Sequence, residues 1–482
     1  MSERHGIYTS EVPFSVMTPV SPQATIPVVF GTAPVHLSKL AAAPVNTPVL
    51  CKSWDEAVDA FGYSEDWESY TLSEFMYSHF RLYKQAPVVL INVLDPAAHK
   101  TSAAPSEAVV TAGMAVLSAE GILPSSVTVQ SADGATTYSK EKDYTLAFDK
   151  KGRLMLSVVR GGAISPAATA LKVGYDKLDR SKVTAADLIG GTDAATGEVT
   201  GLDLIKQVFP RFQLVPTLVL APGFSHEPQV ASVLAAKAES INGHFKAMAL
   251  TDLPADRPFT DLAVFKKENG YASERQIAAY PNVTKDGRTY RFSTHLAGVM
   301  CRTDLESDGV PHRSPSNKLL QADGTVLDNG SELPLGPDEA EYLNNQGIFT
   351  ALNFVGGWKT WGNRTAAFPE ISDPQNAFIP VRRMFDWIQN SVILTYWKHV
   401  DDPANKRLVE SVTDSLNIWM NGLQASGYIL GGRVEFIKEE NPATDLMNGK
   451  LKFHIFVTPP SPAQEIQFKI EYDAQYLGAI QS

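Results

Sequence analysis

Asp252, His295 and Ser314, with Ser316 as a second serine, are the residues whose types could do hydrolytic chemistry. An aspartate, a histidine and a serine can serve as orienter, general base and nucleophile once a fold brings them together. The serines lie in Pro311-His312-Arg313-Ser314-Pro315-Ser316-Asn317, where the prolines remove amide donors that an oxyanion hole would use. A nucleophile without that hole lacks what is usually the largest catalytic contribution. The chain has no GxxxxGK[ST] or GxGxxG segment to cradle a phosphate, and no HExxH or clustered Cys/His set to hold a metal. No cofactor is expected.

Composition narrows the class. The 482 residues suggest about three domains. Hydrophobic residues at 44% and charged residues at 20% make an ordinary globular balance. The 42 Lys+Arg against 53 Asp+Glu give −11, which argues against non-specific nucleic-acid binding. No apolar run approaches the ~18 residues that span a bilayer, so no membrane insertion is expected. The opening Met-Ser-Glu-Arg-His lacks an apolar stretch, and only Cys51 and Cys301 are present. Those features lead us to expect a chain without a secretory leader, made in a reducing cytosol.

Asp252 ends Ala247-Met248-Ala249-Leu250-Thr251-Asp252, a strand in a β-α-β pattern with Pro216 to Ala221 and the helix face Val230, Val233, Leu234, Ala238, Ile241. That pattern predicts a parallel sheet, continued by a helix near Leu262 and a strand at Gln276 to Tyr280. Upstream, Ile26 to Gly31 and Pro87 to Leu94 are apolar throughout, as strands buried on both faces are. Between them, Leu72, Phe75, Met76, His79, Phe80 and Tyr83 keep a helical period, which makes His79 a core histidine. Short β-type runs between about 100 and 200, separated by Asp133-Gly134, Lys151-Gly152 and Gly161-Gly162, predict a small inserted β domain. The stretch 307–337 has no period and is expected to be a surface loop.

Two helices are predicted near 379–398 and 404–425. Beyond them Val434 and Phe436, then Phe453, Ile455 and Val457, alternate as a hairpin does. After Pro459-Pro460 come Ile466, Phe468, Ile470 and Tyr472, alternating with Gln467, Lys469 and Glu471. This amphipathic strand can be the third strand of its own sheet or pair on a neighbour. The first 25 residues, with Ile7, Tyr8 and three prolines, suit a disordered tail or an arm that orders on another chain.

Taken together, several segments resemble contractile tail sheath proteins of bacteriophages and related bacteriocins and injection machines. The likeness begins at Gly6-Ile7-Tyr8-Thr9-Ser10-Glu11-Val12-Pro13 and continues at Ile26 to Ala33, Leu220-Ala221-Pro222-Gly223 and Leu250 to Pro254. It is strongest through Leu296-Ala297-Gly298-Val299, Asp304, Ser314-Pro315-Ser316-Asn317, Leu343 to Ile348 and Trp361-Gly362-Asn363-Arg364-Thr365, followed by Val381-Arg382-Arg383-Met384 and Asn448-Gly449-Lys450-Leu451. The box Ser293 to Gly298 is also similar to the segment around a subtilisin histidine, and Asp-His-Ser is the subtilisin chain order. The sheath resemblance accounts for that order, because the family core is subtilisin-like in fold without protease activity.

The resemblance implies an α/β fold, α+β overall: a subtilisin-like sheath core with an inserted β domain and a C-terminal helix-plus-sheet domain. The expected segments are an arm at 1–25, a core at 26–96 and 201–370, an insertion at 97–200, an inner domain at 371–463 and an exchanging strand at 464–482. It implies a non-enzymatic subunit, polymerised as hexameric rings around a tail tube and meeting baseplate and terminator proteins. The place is a virion tail assembled in a bacterial cytoplasm. Ile7, Tyr8, Ile466, Phe468, Ile470 and Tyr472 would be exchanged onto a receiving sheet of Val434, Phe436, Phe453 and Ile455. Arg382, Arg383, Lys398, Lys406 and Arg407 are candidates for an acidic tube, or else solvated helix faces with pairs such as Lys406 and Glu410.

Overall fold

All five residues of strand Pro27–Gly31 are buried, and so are all five of Val88–Asn92, which pairs with it in parallel. They belong to an eight-stranded sheet in a computed structural model that describes residues 25–480. Across the sheet the order is Val49–Cys51, Val88–Asn92, Pro27–Gly31, Leu218–Leu220, Met248–Asp252, Gln276–Ala279, Ile348–Asn353 and Trp358–Trp361. The inner strands run parallel and the two edge strands antiparallel. Apolar residues on both strand faces require cover on both sides. Helices Pro228–Glu239 and Phe292–Leu305 both pack on strand Met248–Asp252. The predicted helix through His79 begins as Thr71–Met76 and widens into a π-type segment, Tyr77–Leu82. His79 is fully buried, its ring stacked 4.9 Å from Phe75.

The insertion carries two small antiparallel sheets. One joins Lys100–Val109, Ala170–Leu178, Thr128–Gln130 and Thr137–Tyr138; the other joins Met114–Leu117, Leu154–Val158 and Tyr144–Phe148. Gly134 and Gly152 turn the chain at φ 81° and 76°, conformations open to glycine without a Cβ penalty. The insertion has its own apolar core, from Val110 to Val173. Leu178, Val183, Leu188 and Leu202 pack instead into the main core, so the module ends near 178 rather than 200. Within 307–337 the chain forms one short strand, Gly324–Val326, paired with Asn282–Lys285.

Helices Ile379–Tyr396 and Lys406–Ala425 and a two-stranded hairpin, Gly431–Glu435 with His454–Thr458, surround a third core of Met384, Trp387, Leu416, Met420 and Val434. Phe436 and Phe453 fall just outside the paired strands, with ring centroids 5.4 Å apart. Their alternation outruns the ladder because Asn441 ties the connecting segment, donating to the carbonyls of Ile437 and Lys452 and accepting the Lys452 amide. Among the described residues no helix is long and apolar enough to cross a membrane.

Candidate assembly interface

The three residues of the hydrolytic reading occupy separate hydrogen-bond neighbourhoods. Asp252, at the end of its strand, accepts the Ser293 amide at 2.8 Å, the Ser293 hydroxyl at 2.5 Å and the Ser225 hydroxyl at 3.2 Å. Burial raises its carboxyl above the usual range, and those donors oppose the rise. His295 is enclosed by Tyr83 and Tyr290, with the Tyr83 hydroxyl 3.0 Å from Nδ1 and, among the described residues, no partner on Nε2. Burial pushes its imidazole down to about 3, which keeps the ring neutral. The Ser314 hydroxyl donates to Asn363 Oδ1 at 2.5 Å and accepts the Ser316 amide at 3.0 Å. Ser316 in turn accepts the Gly362 amide at 2.9 Å. Both serines therefore pin the 311–317 loop to the sheet edge. The carboxylate, imidazole and hydroxyls form no relay among themselves.

Two of the candidate tube cations are not on the surface. Arg382 and Arg383 are 3% and 5% exposed. Arg382 donates to Asp386 Oδ1 at 2.9 Å, an oxygen that also takes Arg275 at 3.0 Å. Arg383 grips Asp304. A buried cation is tolerated only when paired; Arg383 through Asp304 and Asp386 through Arg275 tie the helix to the core, while Arg382 pairs within its own helix. Lys398, Lys406 and Arg407 are exposed around the turn between the two helices, Lys406 lying 3.4 Å from Glu410. Exposed Trp397 and Val400 flank them.

The hairpin presents two different faces. Val434, Ile455 and Val457 turn toward the helices. On the other face Arg433 lies 3.9 Å over the Phe456 ring, which stacks 4.0 Å from His454. Among the described residues beyond Thr458 no strand follows. Ile466, Phe468, Ile470 and Tyr472 are 69%, 85%, 97% and 78% exposed, so the expected strand is unpaired here. Ile7 and Tyr8 lie outside the described residues. Sequence reasoning missed Asn417, whose amide binds the Val434 backbone at 2.9 Å in both directions. It also missed the carboxylate Asp386 and the pairing of Asp304 with Arg383. Only the Arg382/Asp386 spacing of four on a helix could have signalled one of them.

Residues 372–473 match the family model for the phage tail sheath C-terminal domain. The chain is 28% identical over 485 residues to the tail sheath protein of Burkholderia phage BcepMu, covering 98% of this chain and 97% of that one. It is 30% identical over 322 residues to a prophage major tail sheath protein of Pseudomonas aeruginosa (strain UCBPP-PA14), covering 64% of this chain and 78% of the relative. In fold it is similar to the helical sheath of the anti-feeding prophage in its contracted state, with a TM-score of 0.58, 17% identity and coverage of 98% and 100%. Those matches, over a mixed α/β fold, mean that this chain belongs to the contractile tail sheath protein family.

Proposed function

We propose that copies of this structural sheath subunit stack as hexameric rings around an inner tube, and that the stack shortens and widens to drive the tube through a bacterial envelope. The free energy is stored in assembly, with the extended sheath kinetically trapped above the contracted one. Subunits stay connected by extended segments that add strands to a neighbour's hairpin, because main-chain hydrogen bonds persist while domains rotate. One observation carries this reading: the alternating apolar residues Ile466 to Tyr472 stand in solvent, and among the described residues the C-terminal sheet has two strands. A contact that does not close on itself gives a helical array.

Lys398, Lys406 and Arg407 are the cations that face an acidic tube, and baseplate and terminator proteins meet the ends of the stack. The chain does no catalysis; the order Asp252, His295, Ser314 reflects a subtilisin-like plan of the core. Neither nucleic acid nor membrane is a direct partner. The assembled sheath sits in a virion or particle tail and is built in the bacterial cytoplasm. Electron microscopy of the purified protein tests this: tubes with helical striations support it, and a protein that stays a monomer at every salt and concentration contradicts it.

A further inference from the structure

The order of the large sheet reverses between strands Pro27–Gly31 and Leu218–Leu220. Strands that follow the first in the chain, Val49–Cys51 and Val88–Asn92, lie on one side of it; those that follow the second, Met248–Asp252 and Gln276–Ala279, lie on the other. Parallel strands that part in this way leave a crevice outside their carboxyl ends, where open α/β sheets hold ligands. Thr71 sits in that crevice. A Cβ on Gly31, at the end of one strand, or on Gly223, just past the end of the other, would collide with it. Thr71 and Gly223 line a cleft of about 990 Å³, the size of a small-molecule site. Lys177 to Ser181, where the chain leaves the inserted module, supply part of its wall.

The half-buried arginines of the cleft are neutralised except one. Arg288 binds Glu65 at 2.7 Å and Arg291 binds Asp328 at 2.6 Å. Arg180, with its Cζ 4.5 Å over the Phe224 ring, makes no ion pair among the described residues. Neighbouring Asp179 commits its carboxylate to the Thr101 and Ser181 hydroxyls. Among the described residues the Arg180 guanidinium makes one hydrogen bond, from Nη2 to the Gly223 carbonyl at 3.5 Å, which is long. Nη1 makes none, and Nε is enclosed without a partner. Burial weakens its hold on the proton, Glu227 and Glu68 favour the charge without reaching it, and Arg291 opposes it. An arginine nevertheless stays charged, and its planar fork of unused donors matches a carboxylate or phosphate.

We infer that this cleft is a binding site for a small molecule with a phosphate or carboxylate head, held by the free edge of the Arg180 guanidinium, its body lying in the crevice beside Thr71. A ligand so placed touches the exit segment of the inserted module on one wall and Gly223 of the core on the other, and ties the two together.

Isothermal titration calorimetry on the soluble subunit tests the site, whether or not the chain forms tubes. Inorganic phosphate and malonate are titrated separately, up to about 10 mM, tenfold above a millimolar dissociation constant. Saturable binding of at least one is expected: phosphate alone identifies a phosphate head, malonate alone a carboxylate head, and both a site for either. Arg180→Gln should weaken that binding about tenfold or more, because hydrogen bonds between ions are the strong ones. Arg160→Gln, on an exposed turn of the module, should leave it unchanged. Exposed Glu68 lines the same cleft, and Glu68→Gln removes a carboxylate that competes for Arg180, so it should bind about twofold tighter. That variant keeps the test decisive if Arg180→Gln does not fold. No binding of either anion, an affinity unchanged in Arg180→Gln, an equal loss in Arg160→Gln, or no gain in Glu68→Gln overturns the inference.

Discussion

Arg383 holds Asp304 by two hydrogen bonds, Nη1 to Oδ1 at 3.1 Å and Nη2 to Oδ2 at 2.5 Å, with both side chains almost fully buried. Asp304 lies in the last turn of the helix that carries His295, and Arg383 lies in the second turn of helix Ile379–Tyr396. Thr25, where the described chain begins, donates its hydroxyl to the same carboxylate. One charge pair thus joins the core, the C-terminal domain and the root of the N-terminal segment. Removing one partner leaves a buried charge uncompensated, at a cost of about 3–5 kcal/mol. Arg383→Ala should lower the melting temperature by several degrees, and Arg383→Lys should recover only part, since an ammonium lacks the fork. Calorimetry on the soluble subunit checks both.

Glu74 sits on the core helix with its carboxylate accepting the Arg291 amide at 2.7 Å. Burial pushes its carboxyl up from 4.5 to about 7, against the pull of Arg291. Between those values the folded chain holds a proton that the unfolded chain has released. The contribution of this group is therefore most favourable below about 4.5, and stability is lost as pH rises through about 7. Glu74→Gln should remove that loss, so urea melts of variant and parent should diverge between those pH values, by up to about 3 kcal/mol at pH 8. Parallel curves across the range contradict this account of the site.

The insertion should be separable only along the boundary that packing sets. Replacing residues 101–177 by a short Gly/Ser bridge leaves Leu178, Val183 and Leu188 in the main core, and such a chain should fold and still form tubes. Extending the cut to 200 removes those side chains, each contributing about 2–5 kcal/mol as a buried aliphatic, and the product should be insoluble. Solubility and circular dichroism of the two deletions distinguish the cases.

A fluorophosphonate probe should not label the protein, because the Ser314 hydroxyl is committed to Asn363 and His295 to Tyr83. Labelling that disappears in His295→Ala would show a working nucleophile and contradict a purely structural role.

Much of the fold is legible in residue order. Apolar runs such as Val88–Asn92 can only be strands buried on both faces, and the period through His79 fixes a buried helix face. The alternation after Pro462 marks a strand whose partner is not local. What stays hidden depends on partners far along the chain. Arg383 looks like a surface cation because the group that neutralises it, Asp304, meets it only through packing, and Arg382 because its local partner Asp386 is itself drawn inward by distant Arg275. The Asn417 clamp is equally silent, since an asparagine on a polar helix face carries no sign of the backbone it binds. The insertion boundary was misplaced because the segment 179–200 has turn-rich composition but contributes Val183 and Leu188 to the main core.

The segment after Pro462 should carry polymerisation and contribute nothing to the fold of its own subunit. Phe468 is 85% exposed and lies in no strand, so Phe468→Pro should change the melting of the monomer by less than about 0.5 kcal/mol. The same substitution removes a ladder donor and disfavours pairing with a neighbour. Parent, a 1–20 deletion and Phe468→Pro are compared by thermal melting and by sedimentation. Both variants should stay soluble, melt like the parent and form no long tubes. Normal polymerisation of the variants, or unfolding of the monomer by Phe468→Pro, would contradict it.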